Sequence, residues 1–320
     1  MPEIWGTPAG DPVAADGGVS DDRILVLNPV SGNGDHRERI RKVAAEAGFT
    51  VLETCAAGEA VTFARLAAKA GADVVAAAGG DGTVNEVVRG LAGADAFEEV
   101  TFGVVPTGTG NNFAGNVGVE SVEHAFEVLM GGERRRIDVA TAGDDELFVN
   151  SCIAGLTAEA SAATSTEMKD RLGVLAYVLT GLRTVREFDA LPLAVEADCP
   201  TDEKTWSGEA VMVLVGNARR FPAEGRSQGN CEDGLLEATI IERMPPTNLL
   251  EEAALHRLFG DETEHVTRLL ASELSIDVRR DESVGFSFDG ETEEYDALTM
   301  QTNERVLELA VGENYEPNPG

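Results

Sequence analysis

Three short segments hold most of the residues that could do chemistry. They are Asn28-Pro29-Val30-Ser31-Gly32-Asn33-Gly34, Gly79-Gly80-Asp81-Gly82-Thr83-Val84-Asn85 and Pro106-Thr107-Gly108-Thr109-Gly110-Asn111-Asn112. Each mixes glycine with Ser, Thr or Asn. Glycine lets backbone N–H groups approach phosphate oxygens closely, and neutral hydroxyl and amide side chains add donors. The expected ligand is therefore a polyphosphate. No G-x-x-x-x-G-K-[ST] string occurs, and no G-x-G-x-x-G opens the first helix, so neither the P-loop nor the dinucleotide fingerprint accounts for these glycines.

The segments sit where a sheet would present them. Short apolar runs, Ile24–Leu27, Val74–Ala77 and Phe102–Val105, precede them and read as strands buried on both faces. Between the runs, Ile40, Val43, Ala44 and Ala47 share one helical face that Gly48 ends, Thr50–Thr54 reads as a strand, and Glu59–Ala70 reads as a helix stopped by Gly71. Val84–Leu91 is a further helix, whose N-terminal dipole favours an anion at the second loop. This alternation predicts a parallel sheet with helices on both faces. The three loops then lie at the carboxyl ends of its strands, the rim where open α/β sheets bind ligands.

Beyond about Arg136 strand-like runs dominate: Leu191–Glu196, Ala210–Val215, Leu236–Ile241, Leu274–Val278, Val284–Phe288 and Val306–Val311. Two helices are expected among them, Lys169–Phe188 and about Thr247–Phe259. The predicted organisation is a disordered lead-in over 1–22, an α/β domain over 23–138, an antiparallel β-rich, sandwich-like domain over 139–312, and a tail over 313–320.

Charge sets further bounds. The 320 residues include 57 acids against 25 Lys and Arg, a formal net charge of −32, and only four of the cations are lysines. Such a surface repels itself in dilute buffer, whereas at molar salt the Debye length falls to roughly 3 Å. The composition fits a cytoplasm at high salt, an unusually acidic low-salt protein being the other reading. It excludes nucleic acid as a partner, because phosphate backbones need cationic neutralisation. Cys55, Cys152, Cys199 and Cys231 form no C-x-x-C pair and read as reduced thiols. No apolar run is long enough to span a membrane and no secretory signal is apparent, so a cytoplasmic location is expected.

Taken together, the motifs resemble the diacylglycerol kinase catalytic family, which includes bacterial lipid kinases and sphingosine and ceramide kinases. Asn28-Pro29-x-Ser31-Gly32 matches its first loop, Gly79-Gly80-Asp81-Gly82-Thr83-Val84-Asn85-Glu86 its signature, and Pro106-x-Gly108-Thr109-x-Asn111 its third loop. Gly216-Asn217, Asp233-Gly234-Leu235-Leu236 and Asp289-Gly290-Glu291 follow in the family's order, so the resemblance spans roughly residues 23–312. It implies a Rossmann-like, NAD-kinase-like first domain and transfer of the γ-phosphoryl group of ATP to a lipid hydroxyl with Mg²⁺. The nucleotide would meet Asn28, Ser31, Gly32, Thr54, Gly79, Gly80, Asp81, Gly82, Thr83, Asn85, Gly108, Thr109 and Asn111. Asp81 would organise the metal with the nucleotide. Asp233, with the carbonyls of Asn230 and Leu235, would hold a second, structural metal, and Asp289 would be an alternative ligand or a supporting partner. Glu291 would accept the proton. Lipid is the implied partner, with peripheral membrane contact during turnover and a homodimer left open. The third loop departs from the family pattern, with Asn112 where an acid is usual, and so does Arg219–Gly225 after Gly216-Asn217. An NAD kinase-like enzyme and a catalytically silent lipid- or nucleotide-binding protein on the same scaffold are the competing readings.

Overall fold

The computed structural model describes residues 22–32, 36–144, 146–155, 190–199, 202–220, 227–243 and 265–317. The expected helices Lys169–Phe188 and Thr247–Phe259 lie outside these residues, as do the lead-in up to residue 21 and the segment 221–226.

The first half alternates as its apolar pattern requires: β1 (Arg23–Leu27), α1 (Arg37–Glu46), β2 (Thr50–Glu53), α2 (Glu59–Lys69), β3 (Val74–Gly79), α3 (Asp81–Ala92), β4 (Thr101–Pro106), α4 (Asn112–Asn116) and α5 (Val122–Gly131). β1 pairs in parallel with β2 on one side and β3 on the other, and β3 pairs in parallel with β4. The spatial order β4-β3-β1-β2 places a topological switch point beside β1, where loops leaving neighbouring strands diverge and open a crevice. Leu25, Val26, Leu27 and Ala76–Ala78 are fully buried, as expected for strands covered on both faces.

The second half is antiparallel. Its strands are β5 (Glu133–Ala142), β6 (Glu146–Phe148), β7 (Ser151–Gly155), β8 (Leu191–Cys199), β9 (Asp202–Gly216), β10 (Arg219–Arg220), β11 (Ser227–Gln228), β12 (Leu236–Glu242), β13 (Val266–Ala271), β14 (Glu273–Val278), β15 (Val284–Phe288), β16 (Glu291–Tyr295) and β17 (Ala297–Val311). The α/β half followed by an antiparallel β-rich half is the architecture the sequence pattern implies.

β17 joins the halves. Its first part pairs with β14, Met300 to Val311 run against β5, and Leu309 pairs in parallel with Phe102 of β4. The ladder with β5 shifts register between Asn303 and Leu307, where Arg305 takes a positive φ of 50°. Two apolar cores lie on either side of this junction, one among α1–α5 and the parallel strands, the other around Phe148, Phe286 and Phe288.

Candidate active site

The three glycine-rich loops meet backbone to backbone. A Cβ on Gly108 would lie 2.4 Å from the Cα of Gly80, and one on Gly32 would lie 2.4 Å from the carbonyl oxygen of Thr107. Any side chain there would drive the loops apart, so glycine is required for the approach itself. Side chains then stitch the loops together. Asn28 Nδ2 donates to Thr83 Oγ1 at 3.2 Å, and Ser31 Oγ lies 2.7 Å from Thr107 Oγ1. Asn111, at φ 45°, accepts from Gly108 N at 2.8 Å and donates back to Gly108 O at 2.7 Å, closing the third loop on itself. Thr109 is exposed at that loop's tip.

α3 begins at Asp81, inside the second loop and three residues before the expected start at Val84, with Gly80 as its N-cap. The helix N-terminus therefore points its free N–H groups into the cluster of loops. Asp81 also serves the third loop. Its Oδ1 accepts from Phe113 N at 2.9 Å, and Oδ2 accepts from Asn112 N at 3.1 Å and Asn112 Nδ2 at 3.0 Å. Of the roughly four lone-pair sites of a carboxylate, three are engaged in capping α4.

Beside the loops, a cavity of ≈ 510 Å³ opens among the residues that follow β1, β2 and β3, including Asn28, Pro29, Thr54, Ala60, Thr83 and Glu86. That volume suits a small organic ligand. Thr54 is nearly buried, with its backbone N bonded to Leu27 O, so it forms a firm wall.

From the second half, Glu291 approaches this rim. It opens β16, and its Oε1 would lie 3.8 Å from a Cβ placed on Gly82. Glu291 and Asp81, far apart in sequence, thus flank the same loop. The hairpin turn is Asp289-Gly290, both at positive φ (49° and 111°), as the two central residues of a tight type I′ turn require.

Two expected ligands are turned elsewhere. Asn85, expected on the nucleotide side, is only 2% exposed, and its Nδ2 donates to Leu147 O at 2.9 Å and to Asp289 Oδ2 at 3.3 Å. Asp289, expected as a metal ligand, faces N–H donors with both oxygens: Val149 N at 2.8 Å, Asn150 N at 3.1 Å, Ser151 N at 2.8 Å and the Asn85 amide. A cation would have to displace these donors. Burial, helped by the Asp81 charge, pushes the Asp289 carboxyl up to about 6, against the N–H groups that favour its anion.

The loop from Asn230 to Leu235 lies apart from the three glycine-rich loops, against β5 and β17. Asp233 Oδ1 accepts from Leu235 N at 3.0 Å, and Asn230 O receives Asp233 N at 3.4 Å. Burial, with the charges of Asp138 and Glu304, raises the Asp233 carboxyl above its ordinary range. Among the described residues no group of three or more His, Cys, Asp or Glu forms a ready metal cluster. The fit to a hard cation is therefore one exposed carboxylate near like charges, with backbone carbonyls and water left to complete a shell.

Several supporting residues lay outside the candidate set, and of these only Asn217, in Gly216-Asn217, belonged to a motif. Asp138, fully buried, accepts from Gly234 N at 2.8 Å and Arg305 N at 2.7 Å. Glu232 takes Arg135 through both oxygens and the Tyr315 hydroxyl at 2.9 Å. Asn116 Nδ2 donates to Asn150 Oδ1 at 2.7 Å, and Asn217 Nδ2 donates to Asp138 O and Val149 O. For those outside a motif, the lone acid inside the apolar run Ile137-Asp138-Val139-Ala140 is the one signal that could have exposed any of them.

An α/β half with three stitched glycine loops, met by an acid from an antiparallel half, defines a protein of the diacylglycerol kinase-like class. Residues 22–142 match the diacylglycerol kinase catalytic domain, and residues 150–311 match the YegS C-terminal NAD kinase beta sandwich-like domain. A relative from Pectobacterium atrosepticum named "Probable lipid kinase YegS-like" is 31% identical over 277 residues, 84% of this chain and 88% of its own. One of the same name from Yersinia pestis is 30% identical over 274 residues, 84% and 89% of the two chains. A Bacillus anthracis protein whose solved structure carries a provisional diacylglycerol kinase name superposes with a TM-score of 0.75 at 24% identity, covering 92% of this chain and 98% of its own, which speaks to fold. The chain belongs to the diacylglycerol kinase catalytic-domain family, alongside the YegS-like lipid kinases.

Proposed function

We propose that this protein is an ATP-dependent, Mg²⁺-requiring kinase that transfers the γ-phosphoryl group to the hydroxyl of a diacylglycerol-like or long-chain-base-like lipid. The observation that carries the proposal is the meeting of three phosphate-suited loops and Glu291 at one rim. Phosphoryl transfer asks mainly for positioning and electrostatic stabilisation, together with a destination for the hydroxyl proton.

The roles divide along the chain. Residues 23–138 bind the nucleotide, its base in the cavity walled by Thr54 and Asn28 and its phosphates against the N–H groups of Gly80 and Gly82 at the start of α3. Residues 139–312 present the lipid. Glu291 receives the proton of the acceptor hydroxyl on its carboxylate. Asp81 fixes the third loop against the second, with one acceptor site left toward the phosphates. Mg²⁺, when bound, would supply the charge neutralisation that a lysine-poor chain lacks, with Asp81 on the nucleotide side and Asp233 with the carbonyls of Asn230 and Leu235 at the structural position. The lipid reaches the site by peripheral contact with a membrane, at the high salt that the −32 charge suits, and the product belongs to phospholipid synthesis.

The test is to incubate the protein with γ-labelled ATP, Mg²⁺ and total lipid from the source organism. A labelled, organic-extractable lipid is expected. Label found only in NADP when NAD is supplied, or only in free phosphate, would overturn the proposal.

A further inference from the structure

We propose that Asp289 is a positioning residue, a latch between the two halves that places Glu291 beside the second loop; the role given to Glu291 is that of the proposed function. The Asp289-Gly290 turn connects β15 to β16, and Glu291 is the first residue after it. An exposed side chain at the start of an edge strand has little to hold it. Two residues earlier the chain is fastened from several sides at once.

Asp289 N donates to Ser151 O at 3.0 Å, while its carboxylate receives three successive backbone N–H groups, Val149, Asn150 and Ser151. These anchor the hairpin to the segment linking β6 to β7. The fourth donor is different in kind. Asn85 belongs to α3, the helix that starts at Asp81, so its bond to Asp289 runs between the halves. Asn85 also holds Leu147 O, which binds α3 to β6 as well. The path from Asp81 to Glu291 is thus one turn of helix, one buried amide, one buried carboxylate and one tight turn. The two middle steps, the Asn85 amide and the Asp289 carboxyl, are shielded from water, where hydrogen bonds to a charged acceptor are strong and an unmet partner is costly.

Every group around the carboxylate donates, so both of its oxygens serve as acceptors. Asparagine keeps the shape but replaces one acceptor oxygen with an NH₂ that faces N–H groups. Asp289→Asn should therefore free the turn while sparing the cavity that takes the nucleotide base, which Asp289 does not line.

The experiment is a double-mutant cycle of Asp289→Asn and Glu291→Gln, read with γ-labelled ATP, Mg²⁺ and total lipid, together with amide exchange. Asp289→Asn alone should lower kcat by roughly 10–100-fold with the KM for ATP within about threefold, and should add nothing in the Glu291→Gln background, since a positioning residue has no effect without the group it positions. Exchange should quicken at Val149, Asn150, Ser151 and Glu291. Equal losses in both backgrounds, or unchanged exchange at Glu291, would overturn the latch. If Glu291→Gln turns over like the parent, the reading of Glu291 fails by itself, and exchange at Glu291 still decides whether Asp289 holds it. Should Asp289→Asn fail to fold, Asn85→Ala removes the bonds from α3 to Asp289 and to Leu147 O while leaving the three backbone donors on Asp289, and the same non-additivity and quickened Glu291 exchange are expected.

Discussion

The side-chain amide of Asn112 donates to Oδ2 of Asp81 at 3.0 Å, beside the Asn112 backbone N–H on the same oxygen. Where the family pattern has two acids, this chain has an acid and a donor that satisfies it. The second and third loops are thereby locked without a cation, and Asp81 caps α4 instead of repelling a neighbour.

Asn112→Asp should reverse that economy. Two carboxylates would face each other, and without divalent cation the protein should lose about 1 kcal/mol, the discounted worth of a part-exposed hydrogen bond to a charged group. Mg²⁺ should then raise the melting temperature of Asn112→Asp more than that of the parent. Equal Mg²⁺ responses in the two proteins would show that no cation is drawn to this pair.

The buried carboxyl of Asp289 predicts a pH signature. Its folded value of about 6 lies above the roughly 4 of an unfolded aspartate. The folded state therefore holds the proton more tightly, so the contribution to stability is fully present below about 4 and is lost as pH rises through about 6. Against Asp289→Asn, the parent should lose melting temperature over that interval and run parallel to it above. At about 1.4 kcal/mol per pH unit the loss is at most a few kcal/mol. Parallel curves throughout would mean that Asp289 does not titrate there.

How much of this was legible beforehand follows from where the information lies. β1, β3 and β4 were legible because each buries a continuous apolar run and leads into a glycine-bearing loop, two signals within a single stretch of chain. α4, α5 and β5–β7 were not, since α4 is a single turn capped by Asp81 from another loop, and β5 pairs beyond its short hairpin with β6 only when β17 returns. Asn116 and Asn150 carried no signal, yet they bond across the halves 34 positions apart, and Asn85, expected at the nucleotide, reaches Leu147 and Asp289, 62 and 204 positions away. For Asp81 and Glu291 the motifs supplied the residues, while their approach across Gly82 needed the fold. Asp289 shows the limit most sharply: its type and motif suited a metal ligand or a supporting partner, and the four donors around it favour the second.

Salt should act on the whole molecule. With a net charge of −32, carboxylate repulsion destabilises the compact state at roughly 0.1 M salt, where the Debye length is about 10 Å, and weakens towards molar salt. Melting temperature and initial rate, at matched Mg²⁺, should both climb with KCl over that range. Flat or falling profiles would leave the acidic surface in need of another explanation.

The central claim is that Glu291 takes the proton of a lipid hydroxyl while the three loops hold ATP, and single-turnover transfer in Glu291→Gln tests it most directly. Label transfer from γ-labelled ATP to lipid should fall by roughly 10²–10⁴-fold, the range for a lost general base, with ATP affinity within about threefold of the parent. Transfer at the parental rate, or a collapse of ATP affinity while the chemical step survives, would contradict the account and move Glu291 to the nucleotide side of the site.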